Sequence, residues 1–259
     1  MDLGIAGQTA VVTGGSKGIG LAVVRGLASN GAHVVTGAKA SSAELAELAR
    51  SGQVQALEVD LADPAGPADL VAAAGNRIDI LVNNVGGAPA RPGGFLSITD
   101  EDWLTTITLD LMVAIRTTRS VLPAMLAAGT GTIITICSVN ARLPDPAVLD
   151  YSTAKAGLAA FCKALSKEVG PKGIRVNTVS PGPVATDLWL GADGVAQTVG
   201  HATGAKPEDV ASQAASQMVT GRFSQPSEVA DVVLFLASPH VGNITGADFT
   251  IDGGLVPTW

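Results

Sequence analysis

The segment LDYSTAKAGL, Leu149 to Leu158, holds the only tyrosine of the chain, and a lysine follows it four residues later. On a helix that spacing stacks Tyr151 and Lys155 on one face. The surrounding residues, YSTAKAGLAAFCKALSKEV, are strong helix formers. An ammonium beside a phenol favours the phenolate, so the pair predicts a tyrosine more acidic than usual, able to act as acid or base. Earlier in the chain, Ser138 closes the apolar run GTIITICS, where its hydroxyl could hydrogen-bond a carbonyl oxygen. Each residue alone also has an ordinary reading: a packed tyrosine, a solvated lysine, a serine capping a turn.

A second chemical feature is TGGSKGIG, Thr13 to Gly20, set between an apolar run and a helix-forming stretch. Gly14, Gly18 and Gly20 permit a tight turn and close approach of backbone to phosphate. Free N–H groups at the helix start can hold a pyrophosphate. A purely structural left-handed turn has a similar composition, but the position after the first strand favours a nucleotide. In such folds an acid at the end of the second strand binds the ribose of NAD. Here that strand ends VVTGAKA, without an acid, and Lys17 and Lys39 are cations instead. This points to the 2′-phosphate of NADP(H), with NAD(H) the alternative if both lysines are merely solvated. Asp60, ending the third strand, is placed either to bind the adenine amino group or to be a helix N-cap, in the cap-like run DLADP.

These residues need a frame. Short apolar runs recur at 9–14, 32–37, 54–60, 78–84, 131–138, 173–180 and 247–254, with helix-like segments between them. Near-continuous apolar strands imply a parallel sheet covered on both faces, so the expected fold class is α/β, one Rossmann-type doubly wound domain over 1–259. Two excursions interrupt the rhythm. Residues 85–99 are rich in glycine and proline and read as a site-rim loop, and 187–221 reads as a helical lid.

Composition narrows the class. Apolar residues make up 47% and charged residues 15%, and the formal charge is −7 without a basic run, which argues against nucleic acid as a partner. No run of eighteen apolar residues occurs, so no membrane span is expected. The opening MDLGIAGQTAVVTGG lacks a basic segment and a signal-type apolar core, and is read as cytoplasmic. Cys137 and Cys162 have no disulfide or zinc spacing, and His33, His201 and His240 are scattered, so no metal is expected.

Together these features resemble the short-chain dehydrogenase/reductase superfamily, in its NADP-preferring carbonyl or ketoacyl reductase branch. The resemblance rests on TGGSKGIG, NNVGG (Asn83 to Gly87), Ser138, YSTAK, SPGPVATD (Ser180 to Asp187), GRFSQPSEVA and TGADFTIDGG, in that order. It implies a seven-stranded sheet in the order 3-2-1-4-5-6-7. It also implies cofactor contacts from Gly14, Ser16, Lys17, Gly18, Ile19, Gly20, Lys39, Asp60, Leu61, Asn84, Gly86, Tyr151, Lys155, Pro181 and Gly182. Val184 and Thr186 would meet the nicotinamide carboxamide. Tyr151 would exchange the proton, Lys155 would lower its pKa and bind the nicotinamide ribose, and Ser138 would hold the carbonyl. A homotetramer is implied, with contacts through 103–127, 151–169 and the last strand.

One position departs from the pattern. Counting back from RSVLP, the family's helix asparagine is replaced by Asp110. A buried carboxylate needs a partner, and Lys155 is the expected one, directly or through water. The expectation is a proton relay in altered form; a weaker enzyme, or an alignment displaced by one turn, is the competing reading. Leu143, Pro144, Val148, Leu149 and Trp189 are expected to wall an apolar substrate pocket. Arg91 and Arg142 are expected to be solvated, with an acidic substrate or carrier protein the other reading. The expected reaction is reversible reduction of a medium-sized, largely apolar ketone by NADPH. A 3-oxoacyl thioester reductase and a non-catalytic NADP-binding protein are the alternatives.

Overall fold

A computed structural model describes residues 2–258. Seven parallel strands form one sheet in the order β3-β2-β1-β4-β5-β6-β7. They are β1 (Thr9–Thr13), β2 (His33–Ala38), β3 (Val54–Glu58), β4 (Ile80–Asn83), β5 (Gly131–Ile136), β6 (Ile174–Pro181) and β7 (Asp248–Ile251). Alternate residues of single strands feed two separate cores. Ala10, Val12, Ile80, Val82 and Ile134 face one side, and Val11, Leu81 and Ile133 face the other. Burial on both faces is why the strands read as unbroken apolar runs.

The first core is covered by α1 (Gly18–Ser29) and α10 (Pro226–Ala237), through Val23, Val24, Leu27, Val229 and Val233. On the second lie α3 (Gly66–Ala73), α5 (Val113–Ala128) and α6 (Leu149–Val169), through Leu70, Val121, Met125, Leu158 and Leu165. The short α2 (Ala43–Ala49) follows β2, and α4 (Asp100–Ile107) opens with a capping box from Thr99 and Asp102. The stretch Asp100–Ala128 is long and apolar enough to cross a membrane by length and composition alone. It opens with three acids and contains buried Asp110, features of a helix layered on a sheet rather than in lipid.

Strand ends are trimmed relative to the sequence reading. The fifth strand stops at Ile136, so Ser138 does not close it. It remains extended (φ −165°, ψ 153°) and caps the 3₁₀ turn Val139–Ala141, its Oγ accepting from Asn140 N. Residues 85–99 include a 3₁₀ turn at Phe95–Ser97. Residues 187–221 contain α7 (Asp187–Leu190), α8 (Val195–Thr203) and α9 (Pro207–Ser216), matching the expected helical segment.

Candidate active site

The expected cofactor-binding and proton-transfer residues meet at the carboxyl ends of the strands, where the chain order reverses between β1 and β4, the usual ligand crevice of such sheets. They line one cleft of about 1000 Å³. Its nucleotide end is built by the turn after β1, where Gly14 and Gly18 take φ of +74° and +57°, values that residues with a Cβ rarely adopt. Lys17 precedes α1 without a side-chain cap, leaving the first N–H groups of that helix free toward the cleft. Thr13 ties the turn to the loop after β4. Its Oγ1 accepts from Asn84 N (2.8 Å) and Val85 N (3.1 Å), while Asn84 Nδ2 donates to the Thr13 and Gly14 carbonyls. These features fit a dinucleotide phosphate.

Both lysines expected at the 2′-position are exposed at the cleft and carry carboxylate partners. Lys39 Nζ is 3.0 Å from Asp60, and Lys17 Nζ is 3.6 Å from Asp187. Asp60 also accepts from Ala62 N in the turn after β3 but is not a helix N-cap, since α3 starts after Ala65; that bond together with Lys39 holds its carboxyl below the usual range.

At the other end, Tyr151 and Lys155 share one face of α6, with the ammonium 5.5 Å from the ring centroid. Lys155 is buried. Its Nζ donates to the Ile136 carbonyl at 3.2 Å and lies 3.4 Å from Asp110 Oδ1. Asp110 therefore meets its expected partner directly. It sits in a π-helical turn, Thr108–Met112, between α4 and α5, which widens the helix locally and aims the carboxylate inward. Gly87 N donates to both its oxygens. Gly86 must be glycine, because a Cβ there would lie 2.6 Å from Asp110 Oδ1 and 3.1 Å from Lys155 Nζ.

The electrostatics correct one expectation. Burial raises the Tyr151 phenol above its ordinary value of 10, outweighing the lowering by Lys155 and by the adjacent Ser138 hydroxyl; Asp110 pushes it up as well. The tyrosine is thus less acidic than a free phenol, because burial disfavours the phenolate by more than Lys155 stabilises it. Burial opposes the charge on Lys155, but Asp110 and the neighbouring acids prevail and keep it protonated. Asp110 itself is pushed up to about 6 by burial, against the pull of Lys155 and Gly87.

Leu143, Pro144, Val148 and Trp189 line the substrate end, and Trp189 packs edge-on against Phe223 at 5.1 Å. Leu149 does not: it begins α6 with its side chain off the cleft. Arg91 is not the solvated cation expected: it is largely enclosed and held by Asp102 and Asp150. Arg142 is exposed, as expected, and pairs with Asp248 and Thr250. Sequence reasoning missed Asn140, which exchanges hydrogen bonds with Ser138, and Gln213 and Gln217, which reach the cleft from α9 and the residue after it. Their positions depend on one 3₁₀ turn and on the lid's docking, and neither leaves a spacing signal. Cys137 and Cys162 are free and buried, and burial pushes Cys162 up to about 12, so neither offers a ready thiolate.

Fold and cleft together define a Rossmann-type, dinucleotide-dependent oxidoreductase. A family model described as enoyl-(acyl carrier protein) reductase matches residues 14–256. The chain is 33% identical over 262 residues to a 3-oxoacyl-[acyl-carrier-protein] reductase of Chlamydia pneumoniae, covering 98% of this chain and 99% of that one. It is 36% identical over 262 residues to D-threitol dehydrogenase of Mycolicibacterium smegmatis, covering 98% and 94%. L-sorbose reductase of Gluconobacter frateurii, crystallised with NADPH and L-sorbose, superposes with a TM-score of 0.90 at 34% identity over 100% of both chains. The chain belongs to the short-chain dehydrogenase/reductase family.

Proposed function

We propose that this chain is an NADPH-dependent carbonyl reductase that turns a medium-sized ketone into a secondary alcohol. The observation carrying this reading is a protonated phenol beside the Ser138 hydroxyl, backed by a buried Lys155–Asp110 pair, at the floor of a nucleotide cleft. When bound, NADPH supplies hydride to the carbonyl carbon. Gly14, Ser16, Gly18, Ile19 and Gly20 would hold its pyrophosphate side, and Leu61, Asn84 and Gly86 the adenosine and inner ribose. Pro181, Gly182, Val184 and Thr186 would hold the nicotinamide end. Ser138 orients the carbonyl oxygen and Tyr151 gives it a proton. Lys155 then stabilises the phenolate until a proton from solvent restores the phenol, while Asp110 fixes the ammonium.

Two sets of variants test parts of this mechanism. Asp110 is ionised above about pH 6 and anchors Lys155 there. As pH falls through that value the carboxyl takes up a proton and the anchor weakens, so wild-type kcat should decline. Asp110→Asn, which does not titrate, should lack that limb, and superimposable pH–rate profiles would remove Asp110 from the mechanism. Lys39→Ala should raise the KM for NADPH by about 10-fold or more, the scale of a lost charge-assisted hydrogen bond, and leave that for NADH unchanged.

The substrate wall of Leu143, Pro144, Val148 and Trp189 favours a largely apolar ketone. A carrier-bound 3-oxoacyl thioester would call for cations at the mouth, and Arg91 and Arg142 are already committed to carboxylates. NADPH consumption with an aryl ketone, a 3-oxoacyl thioester and a keto sugar should be fastest with the first. Preference for the keto sugar would move recognition to Asn140, Gln213 and Gln217. We place the enzyme in the cytoplasm as a homotetramer, supported by exposed Leu104 and Leu126 on one face and Phe235 on another. Light scattering should return the mass of four chains.

A further inference from the structure

We propose that Arg91 is a positioning residue for catalysis: through Asp150 it clamps the first turn of the helix carrying Tyr151 to the rim loop and to α4. Neither residue lines the cleft. Asp150, one place before Tyr151, is fully buried, and its Oδ2 accepts from Arg91 Nε at 3.1 Å, Arg91 Nη2 at 2.6 Å and Thr106 Oγ1 at 2.8 Å. The third guanidinium nitrogen donates to Asp102 at 2.9 Å, inside the capping box that starts α4. The backbone is engaged too, because Arg91 N donates to the Ala147 carbonyl at 2.7 Å, in the turn just before α6.

One side chain therefore joins the loop bearing Gly86 and Gly87, the start of α4 and the start of α6. That same loop binds Asp110 through Gly87 N, so a single bridge sets Tyr151 relative to the Lys155–Asp110 pair. A planar fork is required for this geometry. Lysine carries the charge but cannot reach two carboxylates with fixed angles. Burial alone would raise Asp150, yet Arg91 and Thr106, all donating to Oδ2, hold it below the usual carboxylate range. A surface ion pair would contribute little, but here Asp150 is wholly enclosed and Arg91 largely so.

The proposal rests on the reductase reading, and the test separates the two. Because the chain has one tyrosine, the phenolate absorbance of the whole protein reports Tyr151 alone, without substrate. Arg91→Ala should lower kcat about 10²-fold, the scale of a small misplacement of reacting groups, with the KM for NADPH unchanged. Arg91→Lys and Asp150→Asn, close in size to the native residues, should give about 10-fold losses, and they carry the test if the alanine variant does not fold. In each variant the tyrosine titration should move down toward the ordinary value of 10, because a loosened helix start admits water to the phenol. Titration and kcat unchanged from wild type in Arg91→Lys and Asp150→Asn would overturn the proposal. Absence of NADPH-linked reduction in wild type would instead remove the reductase reading, and the titration would still decide on the bridge.

Discussion

Replacing Tyr151 by phenylalanine should lower kcat by about 10³-fold while leaving NADPH binding intact, the magnitude expected when a positioned proton donor is lost. The variant keeps the ring and its packing beside Lys155 and deletes only the hydroxyl that faces Ser138. Because burial holds the phenol above 10, the tyrosine is fully protonated at neutral pH, the form that reduction requires. Reduction by wild type should therefore show no loss attributable to Tyr151 until pH passes the ordinary tyrosine value. Oxidation of the alcohol needs the phenolate and should accelerate as pH rises. Steady-state rates in both directions, measured for wild type and Tyr151→Phe, check both statements. Activity retained in the phenylalanine variant would assign the proton to another group.

The second large effect is one of stability. Lys155→Met leaves Asp110 as an unpaired buried carboxylate, and breaking such a pair from one side costs about 3–5 kcal/mol. The sign of its pH dependence follows from the carboxyl. Already raised to about 6 with the ammonium present, Asp110 should rise further without it, whereas the unfolded chain ionises near 3.8. The folded variant thus holds a proton that the unfolded chain has released, so stability is regained as pH falls through the folded value and is lowest at alkaline pH. Urea unfolding at pH 8 and pH 5 should show the larger deficit at pH 8. The double variant Lys155→Met/Asp110→Asn should recover most of it. Equal deficits at the two pH values would mean that lost packing, not the stranded charge, is responsible.

The elements of the candidate site were legible because their information is local. Tyr151 and Lys155 share a face by helical periodicity, the glycines after β1 mark a turn wherever they occur, and apolar runs buried on both faces announce a parallel sheet. Asp110 stood out as a carboxylate where the resemblance implies an amide, and its only reasonable partner proved to lie 3.4 Å away. Sequence spacing therefore determined which groups could do the chemistry and at which end of the sheet they would stand.

Tertiary structure alone decided how those groups behave. The acidity of Tyr151 depends on how much water the packed helices exclude, a quantity summed over many distant neighbours, and the sign came out opposite to what the Tyr151–Lys155 pair alone implies. Arg91 and Asp150 are 59 residues apart, and nothing local marks them as partners. Only the docking of loop, α4 and α6 brings the fork to the carboxylate, because hydrogen bonds act over a few ångströms of space regardless of distance along the chain.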